Sequence, residues 1–190
     1  QRRVEGLGDP SGALVLYGAV ARDALPADCP SHLQLDWQQP GSLFISISQE
    51  GDGRAPAGQA TVIASVFTSA KCWFELEPAA YTTAKAEAQQ GIEAGLKQLL
   101  GLQDSHWLHR ELATPRGFAR WTGRPFGFVG GIGQAPDRFG PFGLASRSPL
   151  GGLWLCGDAI YPGEGTAGVS LSAEMAVRQL LAQRNEGRTA

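Results

Sequence analysis

The chain has 190 residues, 43% apolar and 18% charged, with a formal net charge of −2. That composition is globular and long enough for one sizeable core, or for one domain plus part of another. It excludes a disordered segment, a dedicated basic nucleic-acid binder and, with no apolar run of about eighteen residues, a membrane-spanning helix.

In chain order, Gln1-Arg2-Arg3-Val4 forms neither an initiator Met nor a signal peptide, so the chain is expected to be a piece of a longer protein. Its expected location is the cytoplasm or the periphery of a membrane. Ala13 to Val20 is apolar on both faces and reads as a central strand. Leu33, Leu35 and Trp37 alternate with Gln34 and Asp36, Leu43, Ile45 and Ile47 alternate with Phe44, Ser46 and Ser48, and Thr61 to Phe67 is rich in β-branched residues. Pro40-Gly41 marks a hairpin turn, and Gly51-Asp52-Gly53 opens a longer loop. From Pro78 to Leu100, Tyr81, Ala84, Ala88, Ile92, Leu96 and Leu99 recur at helical spacing, with Pro78 in the first turn and Gly101 at the end. Antiparallel strands and a packed helix give an α+β architecture. The cysteines, Cys29, Cys72 and Cys156, are too few and scattered for a disulfide framework.

The second half differs. Residues 1–100 carry 7 Lys or Arg against 11 Asp or Glu, whereas residues 101–190 carry 9 against 7, and all nine cations are Arg. Of 26 glycines, 14 fall between Gly117 and Gly168. Gly152 to Asp158 reads as a short buried strand, followed by a glycine-rich loop and a helix with an apolar stripe of Val169, Ala173, Ala176, Val177, Leu180 and Leu181. Thr166 is placed as its N-cap, and Glu174 and Arg178 form an i,i+4 pair. Gly163-x-Gly165-x-x-Gly168 matches a dinucleotide fingerprint literally. The chain ends at Ala190, before a Rossmann unit could be completed. Either these glycines let helix N–H groups approach a cofactor, or they serve a tight strand-to-helix turn.

Gly157-Asp158 and Pro162 to Gly168 resemble the C-terminal FAD motif of the phytoene desaturase-like flavoproteins, the family of carotenoid desaturases, carotene isomerases and retinol saturases. Glu111 to Gly123 looks like that family's "ATP…F…TG" segment, and Gly127 to Gly131 like its following glycine turn. The helix with Tyr81 and Lys85, and the sheet before it, look like its substrate domain. The resemblance covers nearly all of the chain and is strongest from Glu111 to Leu181. Phe139 to Gly143, with Pro162 to Ser170, looks most like cyanobacterial carotenoid 3,4-desaturases. The family's N-terminal Rossmann unit, which holds the ADP half of FAD, has no counterpart here.

This resemblance implies a mostly antiparallel substrate domain over residues 1–150, then the last strand and helix of a Rossmann-type FAD-binding domain over 151–185. It implies FAD as cofactor, held by Gly157, Asp158, Gly163, Gly165, Thr166, Ala167, Gly168 and Val169 in the full-length protein and not retained by this segment alone. Thr114, Pro115, Phe118, Trp121 and Gly123 are implied on the substrate or flavin face. The implied reaction is desaturation of a carotenoid, an apolar polyene. The alternatives are carotene cis–trans isomerisation and a non-catalytic apolar-ligand or membrane-binding domain.

No residue is assigned as catalytic acid or base, which suits chemistry carried by a cofactor. His106 and His109, like Cys29 and His32, are spaced i,i+3. Residues 106–113 read as an extended strand, where i and i+3 face opposite ways, so no metal site is expected. Cys156 reads as a small buried hydrophobe. Phe126, Phe128, Phe139 and Phe142 suit either a channel wall or loop packing. From Arg110 to Arg147 there are six Arg against only Glu111 and Asp137, a basic stretch that suits anionic lipid, a solvated face or, for some of these Arg, the flavin phosphates.

Overall fold

Apolar residues of the strands and of the long helix meet in one shared core. The structure, a computed structural model, describes residues 11–36, 41–131 and 142–186. Trp37, Pro40 and Phe139 lie outside the described residues. The chain divides into two compact units, residues 12–128 and, with the first eleven residues, 129–190.

The larger unit is α+β. Strands β1 (Ser11–Ala21), β2 (His32–Asp36), β3 (Ser42–Ile47), β4 (Gln59–Ser69) and β5 (Trp107–Ala113) form a five-stranded antiparallel sheet in the order β2-β3-β4-β1-β5. β1 is interior, as its two-sided apolar pattern implies. Asp36 pairs with Ser42, so β2 and β3 form the expected hairpin. Leu43, Ile45 and Ile47 of β3 are fully buried beside Val62 and Ala64 of β4. Each such Leu, Ile or Val contributes about 1.5–3 kcal/mol through burial.

The covering layer is α2 (Pro78–Leu100), preceded by the single turn α1 (Cys72–Glu75). Pro78 occupies the first turn of α2, and Gly101 closes it in the left-handed region at φ 72°. Ile92, Leu96 and Leu100 face the core. Leu99, expected in this stripe, is exposed instead. The 92–96–100 row is a straight i,i+4 ridge, and the packing follows it.

One smaller expectation is corrected. His106 ends a 3-10 turn (Asp104–His106) and does not begin β5. Its Nδ1 accepts a hydrogen bond from the Gln103 amide at 3.0 Å, which closes that turn. Helix α3 spans Pro115–Thr122 and ends on Gly123 at φ 70°.

Candidate functional site

The smaller unit contains the glycine-rich loop. Before it, residues 146–155 fold back on themselves: Leu155 N–H donates to the Ser146 carbonyl at 2.7 Å and Ser148 N–H to Leu153 at 3.3 Å. Only the Arg147–Trp154 bridge is regular, so the strand expected over 152–158 does not form. A strand apolar on both faces needs a neighbour along each edge, and one bridge is not that. Leu153, Leu155 and Cys156 are exposed, which corrects the buried placement of Cys156.

Helix α4 spans Gly165–Glu186. Gly165 itself has φ 83°, outside helical geometry, so the regular turn begins at Thr166. Thr166 therefore sits inside the helix start and is not its cap. Glu174 and Arg178 pair at 2.6 Å as expected. The expected apolar stripe is buried only at Ala176, while Val177, Leu180 and Leu181 are exposed.

Ser172 joins this helix to the loop, and the sequence reading passed over it. It is fully buried. Its Oγ accepts the Gly157 N–H at 2.9 Å and donates to the Val169 carbonyl at 2.8 Å. One signal for it existed: a serine one turn from Val169 and Ala176, inside an otherwise apolar row.

The glycines divide into two kinds. At Gly168 a Cβ would stand 2.6 Å from the Gly163 carbonyl oxygen, so its smallness lets the loop pack on the helix. At Gly157 and Gly165 a Cβ would meet nothing within 4 Å, and open space lies before both. The first-turn N–H groups of α4 have no intrahelical acceptor and carry partial positive charge. Space and donors together fit a hydroxyl- or phosphate-bearing portion of FAD. The Gly157 amide is not among those donors, being committed to Ser172. Asp158 and Gly168 are half-buried, Gly163 is buried, and Thr166 and Ala167 are exposed at the helix mouth.

Glu164 stands beside that mouth. Its carboxyl end occupies the space a Gly130 side chain would fill, and the Asp158 backbone does the same at Gly131, 2.5 Å from the would-be Cβ. Burial of the carboxyl, and secondarily the charge of Asp158, push the Glu164 pKa up from its ordinary value.

The residues implied on the substrate face belong to the larger unit, in and beside α3. Thr114 is buried, and its hydroxyl hydrogen-bonds the Tyr81 hydroxyl at 2.9 Å. Pro115 is also fully buried. Phe118 is half-buried. Trp121 is 83% exposed, and Gly123 is the helix cap. Arg116 is taken up internally: its guanidinium lies 4.3 Å over the Tyr81 ring and donates to the Trp73 and Leu76 carbonyls. A separate cavity of about 280 Å³, lined by Arg22, Gln49, Glu50 and the loop through Gln59, includes none of the implied residues.

No protein-family model matches the chain. Curated relatives do. It is 29% identical over 180 residues to the chloroplastic prolycopene isomerase of Arabidopsis thaliana, covering 89% of this chain and 30% of that protein. The Daucus carota prolycopene isomerase is likewise 29% identical, with 29% of its length covered. Prolycopene isomerase 2 of an Oncidium hybrid cultivar is 28% identical. The chain is a distant relative of prolycopene isomerases and spans about 30% of the length of those it matches.

Proposed function

We propose that the chain is the C-terminal part of an FAD-dependent enzyme acting on carotenoid polyenes, and that its reaction is cis–trans isomerisation. The observation that carries this is the 29% identity to prolycopene isomerases across 89% of the chain. Desaturation is the second reading, favoured by the look of Pro162 to Ser170.

FAD, when bound, supplies the electron chemistry at the polyene. The residues of this chain hold and orient. The first-turn amides of α4 would hold the polar part of the cofactor. Asp158 would accept a hydrogen bond from one of its hydroxyls, and Gly157, Gly163, Gly165, Thr166, Ala167, Gly168 and Val169 would form the wall. The exposed Leu153, Leu155, Leu171, Val177 and Leu181 belong under the remainder of a longer protein, which brings the main nucleotide-binding half.

The test is to purify the complete protein carrying this segment, reconstitute it with FAD, and denature it after gel filtration. Near-stoichiometric FAD release is expected, with clear depletion in Asp158→Ala and no retention by the 190-residue chain alone. A complete, folded protein that leaves the column without flavin contradicts the proposal.

A further inference from the structure

We propose that the Glu164 carboxylate makes the holding of FAD depend on pH, its negative charge opposing an anionic cofactor at the mouth of α4. This inference rests on the flavin reading and adds a regulating residue to the same site.

Glu164 is the residue between the first two glycines of Gly163-x-Gly165. What the chain offers an anion there is the first-turn N–H groups of α4, and from Gly165 to Ala173 that helix has no charged side chain. An acid in this position works against such a site. Its charge cancels part of the positive helix end on which an anionic ligand draws.

The fold keeps the carboxyl at the mouth. Its end occupies the space that a side chain at Gly130 would take. Gly130 stands in the left-handed region at φ 78°, so the turn is built around the absence of a Cβ. The adjoining Gly131 packs on the Asp158 backbone, 2.5 Å from its would-be Cβ. Residues 130, 131, 158 and 164 all belong to the smaller unit.

Among the described residues, Asp158 is the charged group whose field reaches Glu164. Tyr161 is the other titratable residue of the loop 157–163, and neither the turn 128–131 nor α4 before Glu174 adds one. Glu174 itself pairs with Arg178. Burial of the carboxyl and, second, the Asp158 charge already favour neutral Glu164. An anionic cofactor adds repulsion of the same sign. Affinity is therefore full below the Glu164 pKa and falls as pH rises through it, because the cofactor and the proton favour each other. The side chain is exposed enough to exchange its proton with solvent while the fold stays intact.

The test titrates the complete protein with FAD at about pH 5 and about pH 8 and reads the quenching of flavin fluorescence. The dissociation constant of the parent is expected to rise about fivefold between the two. Glu164→Gln should hold FAD at the higher pH as tightly as the parent does at the lower, with a flat profile. Glu164→Ala should follow it, and thermal melting without flavin checks that each variant is folded. A flat parent profile, a Glu164→Gln profile parallel to the parent's, or weaker binding by either folded variant at the higher pH overturns the proposal and leaves the flavin reading standing. Flavin held at neither pH overturns both.

Discussion

Ser172 Oγ accepts the backbone N–H of Gly157 at 2.9 Å, fifteen residues back along the chain. This one hydroxyl links the start of the glycine-rich loop to the second turn of α4. Ser172→Ala leaves the Gly157 amide without its acceptor. A loss of about 1–3 kcal/mol is expected, read as a lower melting temperature and faster hydrogen exchange at Gly157.

Gly168 and Gly165 should respond differently to alanine. A methyl at Gly168 collides with the Gly163 carbonyl, so Gly168→Ala should destabilise the chain with no cofactor present. Gly165→Ala meets open space and carries only the strain of φ 83°, about 1–2 kcal/mol. Thermal melting of the two variants separates them, with Gly168→Ala the lower.

The Tyr81–Thr114 hydroxyl pair joins α2 to the start of α3, with Thr114 buried and Tyr81 half-buried. Tyr81→Phe or Thr114→Val alone leaves one hydroxyl unpaired, at a cost of about 1–3 kcal/mol. The double variant should recover much of that, because two apolar replacements leave nothing unsatisfied. A double-mutant cycle by chemical denaturation reads the coupling.

Glu164 and Asp52 predict opposite pH responses. The folded chain raises the Glu164 pKa above its ordinary 4.5. Its contribution is therefore full below the unfolded value and lost as pH rises through the folded one. Glu164→Gln should melt higher than the parent at neutral pH and lack that decline. Asp52 is lowered to about 2, chiefly by the Arg54 and Gln49 amides donating to its carboxylate. Its contribution is full above 3.8 and lost as pH falls towards about 2. Asp52→Asn should flatten the acid limb of a melting-temperature profile.

The sheet and the long helix were legible because period-2 and period-3.6 patterns report burial directly, as in Ile45 against Phe44 or Ile92 against Leu96. The choice of Leu100 over Leu99 was not, since it depends on which ridge meets the sheet. Helix α3 had its marks in Pro115 and Gly123, which the sequence reading did not take up. At the proposed site, Gly157 and Gly165 face open space, which their spacing alone did not report. Thr114 and Pro115 are fully buried at the start of α3, a depth that the motif alone does not report. Ser172 escaped notice because its partner is a backbone amide that only the fold brings near.

Isomerisation is tested by the product that the complete, FAD-loaded protein forms from a poly-cis carotene. A product of unchanged mass and altered chromatographic retention is expected. A product lighter by two hydrogens, or unchanged substrate with flavin bound, would contradict it.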